Sequence, residues 1–230
     1  MSMLLDHSLE ILLGVGTLLT FVWLCILQKR LPMKWYVALP IAVCHTLFGV
    51  LTVKVFAFLE TGFDAQSLGN MSLFGGVFFM PLFYLVVARL LRRSVADVFD
   101  VFVIPLVGTL LFARVNCILS GCCLGSLIGS TGLRWPTREA EIVFYLVFIA
   151  LVAPRILKGE RRGEMYPLYM VSYGAFRFVV EFLRYSSAAL GPFHIAHLWA
   201  FVALGLGSSI LMEIGSDNER NEKKGKKVRS

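Results

Sequence analysis

Apolar runs of roughly 17 to 25 residues recur along the chain, each ended by a short polar stretch, and this is the length a helix needs to cross about 30 Å of hydrocarbon. Their limits predict helices near residues 8–28, 36–58, 71–92, 97–120, 139–154, 166–184 and 193–213. Short segments of strict apolar–polar alternation, the mark of a membrane β-barrel, are not seen. The pattern predicts an all-α polytopic membrane protein of about seven transmembrane helices.

Basic residues then orient the helices, because Lys and Arg are retained on the cytoplasmic side. Lys29, Arg30 and Lys34 follow the first run; Arg89, Arg92 and Arg93 end the third; Arg155, Lys158, Arg161 and Arg162 follow the fifth; Lys223, Lys224, Lys226 and Lys227 follow the seventh. The stretch from Thr61 to Asn70 and the segment before the first run contain no Lys or Arg. This alternation places the N-terminus outside and the C-terminus in the cytoplasm, and it fits an odd number of helices. The first ten residues carry Asp6 and Glu10 and no Lys or Arg. The first run therefore lacks the basic region of a cleavable signal peptide and is expected to stay.

Punctuation adds local detail. Ser94-Val-Ala-Asp97 has capping-box spacing at the start of the fourth helix. Gly121 through Gly132 is rich in Gly and Ser and reads as an irregular outer loop. Residues 1–215 form the predicted membrane domain, and residues 216–230 form a basic cytoplasmic tail whose low-complexity composition predicts disorder. No internal repeat of the transporter type is evident.

Composition agrees with a lipid environment: of 230 residues, 57% are hydrophobic and 16% charged, and the mean hydropathy is +0.75. A net charge of +7 would suit nucleic acid, but 6 of the 22 Lys and Arg residues lie beyond Ser216. Attraction to anionic headgroups explains them better, and no nucleic-acid partner is expected.

Charge inside a bilayer is costly, so ionisable residues within the apolar runs are the candidate chemistry. Tyr173, Arg177, Glu181 and Arg184 fall near 0°, 40°, 80° and 20° on a wheel of about 100° per residue, which puts them on one stripe about 16 Å long. Either arginine could pair with Glu181, leaving the other to seek a different anion. Arg114 lies about 25 Å up the fourth helix, and Arg177 and Arg184 about 16 Å and 27 Å up the sixth. All three thus fall in the outer half of the membrane, where converging guanidinium groups could hold a phosphate with forked hydrogen bonds. A structural ion pair, or snorkelling of Arg184, is the plainer alternative.

The five cysteines form two groups. Cys25 and Cys44 lie inside apolar runs and read as small core hydrophobes. Cys117, Cys122 and Cys123 would lie outside, where a disulfide among them is possible. Adjacent cysteines without a second spaced set do not match zinc-site spacing, so no metal is expected. His45 reads as a polar group within the bundle. His194 and His197 flank the outer start of the last helix.

The run Tyr173-Gly-Ala-Phe-Arg177-Phe-Val-Val-Glu181-Phe-Leu-Arg184 resembles the YGxxRFxxEFxR stretch of prolipoprotein diacylglyceryl transferases. Ala113-Arg114-Val-Asn-Cys117-Ile-Leu-Ser-Gly121-Cys-Cys-Leu-Gly125 is similar to that family's GRxGNFxNxExxG signature, and more so to its GRIGCFxxGCCxG version. Pro136-Thr137 with Glu141 resembles the PSQLYE segment, and Phe74-Gly75-Gly76 falls where the family has HGG. Phe74 thus replaces a histidine, Ala113 a glycine, Cys117 an asparagine, and Arg138-Glu139-Ala140 the Gln-Leu-Tyr of the third element.

The resemblance implies transfer of a diacylglyceryl group from phosphatidylglycerol to a lipobox cysteine thiol of a preprolipoprotein, without a cofactor, at the plasma membrane of a bacterium. It implies catalytic roles for Arg114, Arg177 and Glu181. Tyr173, Arg184, Gly125, Gly75, Gly76 and Glu141 would contact substrate, and His197 is the reserve for the missing base. A relative with a different acceptor, a non-catalytic protein that binds an anionic lipid, and a transporter are the alternatives.

Overall fold

The computed structural model describes residues 7–64, 70–160, 162–185, 189–190 and 193–229. Asp6, Arg161 and residues 65–69 of the loop from Thr61 to Asn70 lie outside the described residues. Among the described residues seven α-helices follow in chain order: α1 (Ser8–Ile26), α2 (Trp35–Glu60), α3 (Phe74–Leu91), α4 (Val95–Leu119), α5 (Thr137–Lys158), α6 (Met165–Glu181) and α7 (Ile195–Arg229). A 3-10 turn, Leu27–Lys29, extends α1, and a two-residue hairpin, β1 (Ala189–Leu190) with β2 (Phe193–His194), precedes α7. Six of the seven helices are long and apolar enough to span a membrane, and the shorter α6 has 17 residues.

The distribution of side chains is inverted relative to a water-soluble bundle. Leu18, Leu47, Leu90 and Phe201 are exposed, whereas Thr20, His45, Thr46, Asp100, Arg114, Glu141, Arg177 and Glu181 are buried. Lipid solvates the apolar exterior, and polar groups turn inward to find partners. His45 is one of them: it stacks on Tyr84 at 6.1 Å between ring centroids, with Nε2 3.3 Å from the Tyr84 hydroxyl.

Two prolines explain two of the interhelical hydrogen bonds. Pro81 has no N–H for the Val77 carbonyl one turn earlier, and the Tyr166 hydroxyl of α6 donates to that carbonyl at 2.7 Å. Pro105 likewise frees the Val101 carbonyl, and Trp23 Nε1 of α1 donates to it at 2.8 Å. In hydrocarbon a freed carbonyl would otherwise stay unpaired at a cost of several kcal/mol. Glycine serves the α6–α7 contact in a different way. A Cβ on Gly174 would meet the Ala200 carbonyl at 2.7 Å, and one on Gly207 the Pro167 carbonyl at 2.8 Å, so the two backbones touch.

At one end of the bundle a buried carboxylate holds three segments together. Asp100 accepts the backbone N–H groups of Gly163 and Met165 at 2.7 and 2.9 Å and pairs with Arg30 at 2.6 Å. It therefore neutralises the positive start of α6 from a different helix. Asp97 pairs with Arg30 at 3.1 Å and lies 3.6 Å from Arg162.

This network corrects the capping-box expectation. Ser94 makes no side-chain cap, because Asp97 is drawn toward arginines rather than back to the helix start. Two helix ends also differ from expectation. The sixth helix stops at Glu181 instead of running to residue 184, because Ser126 captures the Leu183 carbonyl through its N–H at 2.9 Å and its hydroxyl at 3.0 Å. The backbone of α7 continues to Arg229, through the tail for which composition predicted disorder. No proline interrupts residues 216–229, which are rich in the helix-favouring Glu, Lys and Arg.

Candidate functional site

At the opposite end of the bundle from Asp100, about 21 Å farther along α4 at 1.5 Å per residue, Arg114 opens onto a polar cavity. The cavity measures about 330 Å³ and is lined by Glu60, Phe74, Arg114, Tyr173, Arg177 and Arg184, among others. The end of α2, the start of α3, the last turns of α4 and α6, the segment after α6 and the start of α7 meet there.

The centre of the site is an alternating chain of charge. Arg114 donates its Nε hydrogen to Glu141 Oε2 at 2.5 Å, Arg177 donates from Nη1 to Glu141 Oε1 at 3.1 Å, and Arg177 Nη2 lies 2.8 Å from Glu181 Oε2. Glu141 is 1% exposed, Glu181 3%, and both arginines 4%. Each oxygen of Glu141 is thereby committed to a different arginine. The two guanidinium groups, which would repel if left alone, are held side by side. Breaking one buried pair of this kind typically costs about 3–5 kcal/mol, because a charge is stranded without water.

Arg184 is differently placed. It lies beyond α6 and pairs by its backbone with Gly125, in a bridge that links the loop after α4 to this segment. Its side chain lines the cavity and ion-pairs with no described carboxylate. Burial, with Arg177 and Arg114 close by, pushes its pKa down. Such an environment favours arrival of an anion.

Glycine at 125 permits the close approach of the Trp135 backbone, because a Cβ there would run into the Trp135 carbonyl. Arg134 Nη1 donates to the Gly125 carbonyl at 3.0 Å, and the Trp135 N–H to the Ser126 carbonyl at 3.0 Å. The loop expected to be irregular is therefore stitched to the rim of the site by backbone bonds.

Of the residues singled out from sequence, Arg114, Tyr173, Arg177, Glu181 and Arg184 share the cavity, and Glu141 braces two of them from behind. Tyr173 is fully buried, and its hydroxyl makes no hydrogen bond of good geometry. Phe74 walls the cavity, 5.7 Å from the Tyr173 ring. Gly75 and Gly76 do not line it. A Cβ on Gly75 would collide with the Thr52 carbonyl of α2, and Gly76 packs toward Leu106 and Leu110, so both serve helix packing. His197 also stands outside the cavity. Its ring is enclosed by Phe178, Phe182 and Phe193, and its Nδ1 accepts the His194 N–H at 2.9 Å.

Two residues escaped the sequence argument. Glu60, the last residue of α2, lines the cavity within electrostatic range of Arg177 and Glu181. His194 Nδ1 lies 3.6 Å from Glu181 Oε1, which makes it the histidine that faces this carboxylate. The signal for Glu60 was present as an acid closing an apolar run, but nothing in its spacing ties it to α6.

Comparison with known proteins gives a consistent result. The family model described as prolipoprotein diacylglyceryl transferase matches residues 11–212. Phosphatidylglycerol–prolipoprotein diacylglyceryl transferase of Pseudoalteromonas translucida is 28% identical over 159 residues, which is 64% of this chain and 57% of that protein. Enzymes of the same name from Clostridium tetani and Lactococcus lactis subsp. lactis are 33% and 36% identical over 87 and 80 residues. Those two matches cover 32% and 34% of this chain and 35% and 30% of the relatives. The aligned part thus spans from about a third to somewhat over half of the relatives' length.

Proposed function

Because the chain belongs to the prolipoprotein diacylglyceryl transferase family, we propose that it transfers a diacylglyceryl group from phosphatidylglycerol to the cysteine thiol of a lipobox-containing preprolipoprotein. It would do so at the outer face of a bacterial plasma membrane. The observation that carries this reading is Arg184, a half-buried arginine without a carboxylate partner among the described residues, set beside the braced pair Arg114 and Arg177 on one cavity. Three guanidinium groups on one cavity suit a phosphate better than any neutral ligand.

In this reaction the thiolate sulfur attacks the glyceryl carbon that carries the phosphate ester. The C–S bond forms, the C–O bond breaks, and glycerol phosphate leaves with the electron pair. Negative charge grows on the departing phosphate, and donors already held in place lower the energy of that transition state. Arg114 and Arg177 are assigned this role, with Arg184 as the first contact for the headgroup. Tyr173 offers its free hydroxyl to a phosphate oxygen. Glu60 is suited to accept hydrogen bonds from the glycerol hydroxyls of the headgroup.

The proton of the thiol is assigned to Glu181 or to its neighbour His194, since Phe74 offers no base. Some thiolate also forms unaided, because a free thiol has a pKa near about 8.5. A general base typically contributes about 10² to 10⁴-fold, so the histidine-to-phenylalanine change need not abolish turnover.

The test is incubation of the purified protein with phosphatidylglycerol and a lipobox peptide, with mass detection of the thioether peptide and of released glycerol phosphate. Product from the wild type and none from Arg177→Ala supports the reading. A wild type that binds phosphatidylglycerol but forms no thioether with any thiol peptide would remove the transferase reading and leave an anionic-lipid-binding protein.

A further inference from the structure

Cys117 lies in the last turn of α4, and the chain then reverses through Gly121 and Cys123, whose φ angles are +69° and +58°. A left-handed backbone at a non-glycine residue is unfavourable unless the surroundings hold it. Here they do. The Cys122 N–H donates to the Cys117 carbonyl at 3.1 Å, and Arg138 Nη1 donates to the Cys117 and Cys122 carbonyls, each at 3.2 Å. The reversal lays Cys122 and Cys123 over Cys117, so that the three Sγ atoms all fall within 4.8 Å of one another.

We propose that Cys117, Cys122 and Cys123 are three ligands of a thiophilic metal ion of the zinc class. Three sulfurs bound to one such ion at about 2.3 Å lie about 3.8–4.0 Å apart, so closure of this cluster asks for side-chain shifts of an ångström or less. The linear spacing argued against zinc because the two adjacent cysteines lack a second pair. The tight turn removes that objection by bringing Cys117 back to them.

The surroundings suit the charge that would result. Three thiolates around a divalent cation leave one net negative charge, and Arg114 Nη1 stands 4.0 Å from the Cys117 sulfur while Arg138 grips the turn from the other side. The Ser120 hydroxyl donates to the Cys122 sulfur at 3.3 Å, a bond of the kind that orients a ligand from behind. Cys122 is exposed, which leaves a fourth coordination position open to water. A metal here would lock the end of α4 to the loop that carries Gly125, and so fix Arg114 and Arg138 against Arg184. A disulfide, by contrast, would join two of the three sulfurs and strand the third.

The experiment uses the full chain, purified in detergent under reducing conditions with Zn²⁺ supplied, and reads metal content by mass spectrometry. A second arm loads Co²⁺ and records the near-ultraviolet sulfur-to-cobalt charge-transfer band. Expected are about one zinc ion per chain and a thiolate band in the wild type. Both should be lost in Cys117→Ser and Cys123→Ser and kept in Cys25→Ser and Cys44→Ser. Because the cobalt band is read on the wild type, a variant that fails to fold does not decide the question. No metal retained and no band in the wild type would overturn the proposal. So would a band that survives Cys117→Ser, or a Cys117–Cys123 disulfide that forms in the presence of the metal.

Discussion

Arg114 and Glu141 stand 27 positions apart in the chain, yet their side chains meet at 2.5 Å with both groups buried. The bond joins α4 to α5 at the depth of the cavity, and the second oxygen of Glu141 carries Arg177. Glu141→Ala should strand the Arg114 guanidinium and leave Arg177 with Glu181 alone. We expect a loss of about 3–5 kcal/mol in unfolding free energy and no measurable thioether product. Thermal unfolding in detergent, read beside turnover, checks this. A variant as stable and active as the wild type would mean that Glu141 does not brace the site.

Arg184 is held by its backbone and Arg177 by its side chain, so their variants should part company. Arg184→Ala should fold with unchanged melting temperature but require more phosphatidylglycerol to reach the same rate. Arg177→Ala should lose both rate and stability, because Glu181 and Glu141 each lose a partner. Arg184→Lys should remain poor, since an ammonium cannot reproduce the planar fork. Full activity of the lysine variant would count against forked phosphate recognition.

Asp100 is remote from the cavity, and its partners are Arg30 and the start of α6. Asp100→Ala should lower stability by about 3–5 kcal/mol. The apparent affinity for lipid of the molecules that remain folded should stay as in the wild type. A change in that affinity at unchanged stability would contradict a structural role.

Trp23→Phe and Tyr166→Phe each remove a donor from a carbonyl that proline has freed. Leaving such a group buried and unpaired costs about 1–3 kcal/mol. The sharper expectation is a double change: Tyr166→Phe with Pro81→Ala, which restores the N–H one turn on, should recover much of the loss. Lack of recovery would point to packing rather than the carbonyl.

We propose, from the alternating basic loops, that the loop after α2 and the C-terminal tail lie on opposite faces of the membrane. A cysteine-reactive tag near Gly62 and another after Lys227 should accordingly label from opposite sides, in a background with the native cysteines replaced. Labelling from one side alone would remove the assigned orientation.

The number and approximate limits of the helices could be read from the sequence because lipid imposes a length on each apolar run, and Tyr173, Arg177, Glu181 and Arg114 could be read because charge is rare there. The missing parts depended on contacts between distant segments. The end of α6 at Glu181 is set by Ser126, 57 positions from the Leu183 carbonyl it binds. Arg30 looked like a topological charge, and only the fold reveals that it is buried against Asp97 and Asp100. Gly75 was read as a substrate contact from its place in a motif, whereas the close passage of α2 is what demands a glycine.

The 17 residues of α6 amount to about 26 Å of helix, short of the roughly 30 Å that a bilayer's hydrocarbon measures. Anchored at its start by Asp100 and fastened along its length to α7, this helix cannot slide to make up the difference. Thinning of the lipid around a short helix is one way to meet such a shortfall, and at this helix the end concerned carries Glu181 and Arg184. A lipid neighbour at that spot would have its phosphate drawn inward before any contact with protein is made, so acyl-chain length in the host membrane becomes a variable that acts on the site from outside it.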